Sequence, residues 1–191
     1  ASDSILLIVL NTVLQRYGGP GEGDTLVTCA TIVQSYLLLI TMPMGGITLG
    51  SQPVVSFNYG KGDAQRIKKA ILYITGLCVS FCILMTVVTW TISPVYVRLF
   101  TEDPEILHRS VIYIKRFTFM IIPLAVQYPL VDETTALGKV KLALFCSAFR
   151  KFIFLAGLIF LPALFTADAA FFSEPVAAVV SVSYTHLRAH E

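Results

Sequence analysis

Apolar positions along the chain gather into long runs, parted by short stretches rich in glycine, proline and charge. The runs occupy residues 4–14, 26–55, 70–97, 110–136, 142–165 and 175–182. A helix needs about 20 mostly apolar residues to cross the hydrocarbon core of a bilayer. The four middle runs reach that length, which predicts an all-α integral membrane protein. The first run is short and reads as the back end of a span; the last reads as the front of one. Gly18, Gly19, Pro20, Gly21 and Gly23 predict the first loop. The chain enters its first run without a leading Met, which reads as a start partway through a longer protein.

The second run changes character along its length. Residues 26–44 carry no charge, and the chain then reads GGITLGSQPVVSFNYG from Gly45 to Gly60. Gly45, Gly46 and Gly50 predict close approach of a neighbouring helix. Gln52, Ser56 and Asn58 bring hydrogen-bonding groups that lipid cannot satisfy. Pro53 lacks a backbone donor and predicts a kink. Lys61, Arg66, Lys68 and Lys69 follow as a basic loop. A helix that turns small, then polar, then basic reads as one lining a polar interior.

Charge sets an orientation. The stretches after the second and fourth runs hold Lys61, Arg66, Lys68, Lys69, Lys139 and Lys141. The opposite stretches hold most of the acids: Glu22, Asp24, Glu102, Asp103, Glu105, Asp168 and Glu174. The positive-inside rule puts the lysine-rich side in the cytoplasm. Composition agrees with a multi-pass plasma-membrane protein: 55% of residues are hydrophobic and 14% charged, against about a quarter charged in soluble chains. A net charge of +2 gives no ground for a nucleic-acid partner; the partners predicted are the lipid bilayer and small amphipathic molecules. The four cysteines lie in apolar runs and read as small hydrophobes. Cys78 and Cys82 are four apart, yet no His stands near them, so no metal site is predicted. No phosphate-binding Gly-Lys-Ser/Thr loop and no Ser/His/Asp set is present, so neither an enzyme nor an organic cofactor is expected.

The acids at membrane depth are Asp132 and Glu133. Desolvation inside a membrane favours a protonated carboxyl, so such groups can carry ion coupling. Two readings stand for this pair: interfacial partners of Lys139 or Lys141, or an ion-linked site facing a cavity. Gln34, Gln52, Asn58, Gln127 and Asn11 are candidate cavity residues, with Gln34 favoured because it stands mid-run. Each has an alternative as a helix-to-helix hydrogen bond. Tyr36, Tyr73, Phe81, Trp90, Phe117, Phe119 and Tyr128 are candidates for stacking on flat cations, against a plainer role in packing or lipid contact. Trp90 and Tyr96 fit an outer interfacial belt. Arg150 and Lys151 read as snorkelling to the inner surface, or as a cytoplasmic gate with Asp132 or Glu133. From Ser183 the chain reads SYTHLRAHE, a polar ending that reads as foreign sequence; His186 and His190 within it are not taken as metal ligands.

Several stretches in order resemble the C-terminal half of the multidrug and toxin compound extrusion (MATE) family of efflux antiporters. Tyr17-Gly18-Gly19 resembles the end of that half's first helix. Gly50-Ser51-Gln52-Pro53, Phe57-Asn58-Tyr59-Gly60 and Arg66 resemble the signature at its second. Ala136-Leu137-Gly138-Lys139, Ser147 to Arg150 with Pro162, and Glu174-Pro175-Val176 resemble later landmarks. The resemblance covers residues 4–182. It implies one six-helix bundle of a twelve-helix transporter, first and last helices incomplete, with a second, N-terminal bundle as partner. It further implies export of amphipathic, often cationic compounds in exchange for H+ or Na+, in a bacterial inner membrane. Some members carry an acid where this chain has Gln127, which cannot titrate. A lipid-linked saccharide flippase of the same superfamily and a non-transporting membrane piece are the alternatives; nearly charge-free mid-spans favour drug efflux. The orientation makes Lys68→Cys or Lys69→Cys resistant to an impermeant maleimide added to intact cells; labelling from outside would reverse the topology.

Overall fold

The computed structural model describes residues 2–174 and 176–181, with residues 2, 3, 119, 120 and 168 described by their backbone alone. The tail 183–191, with His186 and His190, and Pro175 lie outside the described residues, as does the Phe119 side chain. Five long helices follow one another: α1 (Ser2–Gly18), α2 (Glu22–Gly60), α3 (Ala64–Arg98), α4 (Pro104–Ala136) and α5 (Val140–Leu164). A 3-10 turn, Ala167–Phe172, leads into a short apolar helical stretch, Ala169–Ser181, here α6.

Local signals set the helix ends. Asp63 caps α3 by accepting from Arg66 N at 3.0 Å, and Asp103 caps α4 by accepting from Glu105 N and Ile106 N, with Pro104 in the first turn. Gly62 (φ 71°) and Gly138 (φ 77°) take the left-handed conformation just past α2 and α4, where a side chain would be strained. The basic residues expected in a loop after Gly60 are mostly helical: the break spans only 61–63, and Arg66, Lys68 and Lys69 lie on the first turns of α3.

α2, α3 and α5 are each long and apolar enough to cross a membrane, and α4 qualifies as a bent pair. Its segments Pro104–Thr118 and Ile121–Ala136 meet at 49°. Pro123 accounts for the bend, since its ring clashes with the carbonyl four residues earlier and leaves it without a donor. α2 passes through Pro43 and Pro53 as a single helix. Its 39 residues span about 58 Å at 1.5 Å each, so its ends stand clear of a hydrocarbon core about 30 Å thick.

α2 packs against α1, α3 and α4, and α5 closes against α1, α4 and the turn Ala167–Phe172. Leu14, Leu26, Ile40, Met44, Ile114 and Leu158 fill the core. Outward, Met42, Leu72, Tyr73, Trp90 and Phe160 are well exposed. So much apolar surface suits a molecule whose flanks meet acyl chains. Tyr96 departs from the expected belt: its ring packs 4.9 Å from Tyr36, edge to face.

The glycines divide differently from expectation. A Cβ on Gly45, Gly46 or Gly50 would meet nothing within 4 Å, so no described helix presses on them. The close approach falls at Gly18 and Gly23, expected in a loop but found inside α1 and α2. A Cβ on Gly23 would lie 2.9 Å from Gln15 Cα, and one on Gly18 would lie 2.8 Å from Gly23 Cα. The α1–α2 hairpin therefore closes only because both positions are bare. Gly23→Ala is expected to destabilise the bundle by about 1–3 kcal/mol, read as a lower unfolding midpoint in detergent, with Gly50→Ala unchanged.

Candidate functional site

α2 and α4 run parallel, joined by polar contacts from end to end. At their N-terminal ends Arg109 pairs with Glu22 across the helices and with Glu105 on its own helix at 3.0 Å. At their C-terminal ends Thr48 Oγ1 donates to Asp132 Oδ2 at 2.5 Å, and Ser51 Oγ donates to Glu133 Oε1 at 3.0 Å. Gln52 Nε2 donates to the Asp132 carbonyl at 3.3 Å, and Ser56 Oγ to the Ala136 carbonyl at 3.0 Å. Glu133 is buried, and its Oε2 has no hydrogen-bond partner among the described residues. Neither acid is ion-paired with Lys139 or Lys141 among the described residues; the expected interfacial pairing gives way to hydroxyls from α2.

The hydroxyls have a second outlet. Thr48 Oγ1 also lies 3.1 Å from the Gly45 carbonyl, and Ser51 Oγ 2.8 Å from the Thr48 carbonyl. A hydroxyl has one proton and two lone pairs. When a carboxylate is ionised, the hydroxyl gives it that proton. When the carboxyl is protonated, it donates to the hydroxyl, which turns its own proton to the backbone carbonyl. Both charge states of Asp132 and Glu133 are thus hydrogen-bonded without moving a helix. Thr48 and Ser51 were not legible as site residues, because Ser and Thr in membrane helices often bond only to their own backbone.

One heptad toward the other end of α2 the packing opens. A cavity of about 240 Å³ lies between α1, α2, α4, α5 and α6. Leu6, Leu10, Val33, Leu37, Ile121, Leu124 and Phe154 form apolar walls, while Gln34, Thr41, Tyr128, Arg150, Lys151 and Glu174 bring polar groups. Phe117 and Phe171 line it too, and Phe171 is stacked on Tyr113 at 4.1 Å. Arg150 Nη1 lies 2.7 Å from Glu174 Oε1, with side chains 19% and 26% exposed. Gln34, Thr41 and Thr48 recur every seven residues, so they fall on one stripe of α2, drifting about 20° per heptad. Tyr128 and Asp132, four apart, share a face of α4. The cavity and the acid–hydroxyl cluster are therefore neighbours.

The expected residues scatter around this centre. Gln34 lines the cavity, as do Phe117 and Tyr128. Gln127 lies buried elsewhere and accepts from Ser181 Oγ at 2.9 Å. Gln52 belongs to the α2–α4 seam. Asn58 Nδ2 donates to Val54 O on its own helix at 2.8 Å. Asn11 Oδ1 is buried with no hydrogen-bond partner among the described residues. Tyr36 bonds to Thr89 Oγ1 at 2.8 Å and serves the α2–α3 contact. Lys115 and Arg116 stand over the Trp90 and Phe172 rings, at 5.2 and 5.8 Å. Arg150 and Lys151 depart furthest. Arg150 is the eleventh residue of α5, about 15 Å from its start. It pairs with Glu174 rather than with Asp132 or Glu133. Mid-span positions are therefore not charge-free, which removes that ground for preferring drug efflux to a flippase. Glu174 escaped notice because it reads as a connecting residue.

Fold and site together define a multi-pass helical membrane bundle with a mainly apolar cavity that carries a few polar groups, an architecture suited to carrying solutes. Residues 3–167 match the MatE family model, and the chain belongs to that family, whose members are transporters and not enzymes. Over 100 residues it is 27% identical to the Probable multidrug resistance protein NorM of Geobacillus kaustophilus (strain HTA426), covering 52% of this chain and 22% of that protein. It superposes on an outward-facing multidrug resistance MATE family transporter of the MOP superfamily with a TM-score of 0.85 and 17% identity, over 98% of this chain and 43% of that one. An inward-facing structure of such a transporter gives 0.82 at 17% identity, over 98% and 44%. A MOP superfamily transporter from Pyrococcus furiosus, described as having a binding pocket of reverse polarity, gives 0.83 at 16%, over 98% and 43%. The chain thus spans less than half the length of these proteins.

Removing one partner of a partly buried ion pair leaves the other charge without its partner, whereas removing both does not. Arg150→Met and Glu174→Met are each expected to lower the unfolding midpoint more than the double variant does. A double variant as damaged as the sum of the singles would show that the two side chains do not interact.

Proposed function

We propose that this bundle is one lobe of a secondary active antiporter of a bacterial inner membrane, exporting amphipathic compounds in exchange for protons. A second six-helix bundle faces it, and the lysine-rich ends of α2, α3 and α4 lie in the cytoplasm. The observation that carries the reading is the pairing of Asp132 and Glu133 with hydroxyls that serve either protonation state. A group that binds a proton on one side and releases it on the other must be stable in both forms, and this pairing provides that without a charged partner. Substrate occupies the neighbouring cavity, where Gln34 and Tyr128 stand.

Arg150 and Lys151 in that cavity favour a second reading, a flippase for lipid-linked saccharides, whose cargo carries an anionic headgroup. The reversed pocket polarity named for the Pyrococcus furiosus protein is in keeping with it.

The test uses the full reading frame in a pump-deficient strain, loaded with matched amphipathic dyes, one cationic and one anionic. Efflux of a dye is expected to rise when the outer medium is acidified and to collapse with a protonophore. Asp132→Asn and Glu133→Gln are each expected to slow gradient-driven efflux by about tenfold or more and to flatten its pH dependence. Efflux indifferent to the proton gradient, or an unchanged pH profile in both variants, would overturn proton antiport.

A further inference from the structure

We infer that Lys115 and Arg116 on α4, set beside Trp90 and Phe172, form a site for the phosphate of an anionic phospholipid in the leaflet at the N-terminal end of α4. The inference goes beyond the transport reading and concerns the outer flank of the bundle rather than its cavity. Lys115 Nζ lies 5.2 Å from the centre of the Trp90 ring, and Arg116 Cζ lies 5.8 Å from that of Phe172. Neither cation makes an ion pair among the described residues. Several acids on adjoining elements have other partners. Asp103 caps α4, Glu22 and Glu105 share Arg109, and Glu174, two residues past Phe172, pairs with Arg150. A ring face attracts a cation without neutralising it. Two adjacent positive charges therefore stand on this flank with no counter-charge among the described residues.

The surface around them is apolar. Val87 and Trp90 on α3 are well exposed, as are Phe172 and Val176, while Arg116 is exposed and Lys115 half-buried. The 33 residues of α4 span about 50 Å, against a hydrocarbon core about 30 Å thick. Lys115 stands about 17 Å from the start of that helix. For a centred helix this is about 7 Å below the core boundary, the distance a long basic side chain covers by snorkelling. Both charged groups then meet the headgroup level. There the Arg116 guanidinium offers a planar fork that matches phosphate oxygens, and the Lys115 ammonium adds a point charge. A soluble anion would gain the charges alone. A phospholipid gains them and also lays its acyl chains along Val87, Trp90 and Val176, so lipid is the occupant this flank fits.

The test uses Trp90, the sole tryptophan of the chain, as its reporter. The full chain is reconstituted in phosphatidylcholine bilayers holding rising fractions of phosphatidylglycerol brominated in its acyl chains, which quenches an indole it touches. Brominated phosphatidylcholine serves as the neutral reference. Quenching is expected to show phosphatidylglycerol favoured beside Trp90 by at least about fivefold, the effect of one well-placed cation. Lys115→Gln and Arg116→Gln are each expected to lower that preference by about threefold or more, and the double variant to abolish it. Lys115→Arg is expected to keep it. Lys69→Gln, about 32 Å before Trp90 along α3, is expected to leave it unchanged. The last two variants separate loss of charge at this site from damage to the fold. Equal quenching by the two lipids would leave this flank to neutral lipid, water or a second bundle, and overturns the inference. A preference unmoved in both Gln variants, or lost equally in Lys69→Gln, overturns it too. Because quenching needs neither a gradient nor a substrate, the outcome is independent of whether proton-driven efflux is observed.

Discussion

A polar group inside a bilayer must find its partner within the protein, because lipid offers none. That constraint is met here chiefly along the parallel seam of α2 and α4. Each end of the seam is pinned by side chains from both helices: Glu22 with Arg109 at one end, Thr48 and Ser51 with Asp132 and Glu133 at the other. Single hydrogen bonds between membrane helices average about 0.6 kcal/mol, so no one contact holds the pair. Their spacing sets its register. A slip by one residue would turn Asp132 and Glu133 away from both hydroxyls and leave two carboxyl groups in an apolar setting. The position of α4 relative to α2 then fixes where Tyr128 stands against Gln34, and hence one wall of the cavity.

The second polar centre is built on different physics. The carboxyls of the seam meet neutral hydroxyls and accommodate a change of charge. Arg150 and Glu174 meet as opposite charges, 2.7 Å apart. The two centres thus lie on neighbouring parts of the bundle and differ in kind, one an acid–hydroxyl cluster and the other an ion pair. Gln34, Thr41 and Thr48 on one stripe of α2 give the two centres a shared element.

Much of the architecture was legible from the chain. Apolar run length is a local property, so the runs at 26–55 and 70–97 fall within α2 and α3, and that at 142–165 overruns α5 by one residue. The ordered stretches from Tyr17 to Glu174 pointed to the family to which the chain belongs. Glycine, by contrast, announces smallness without naming a neighbour. Gly45, Gly46 and Gly50 looked like a packing face and have none among the described residues; Gly18 and Gly23 looked like a loop and form the tightest backbone contact. The choice depends on which helix comes back alongside, and that is a tertiary fact.

The same limit explains the charges. Arg150 and Lys151 stand in an apolar helix nine and ten residues past Lys141, close enough to an end to suggest snorkelling. What decides otherwise is a carboxylate 24 residues further on, brought back by the turn at 166–172. Gly157 contributes to that return: a Cβ there would lie 3.0 Å from Ser173 Cβ, so the bare backbone lets α6 close against α5 one residue before Glu174. A largely covered arginine in an apolar helix is stabilised by such a partner. The cavity's charge balance therefore depends on a glycine two turns along α5, through the position it gives to Glu174.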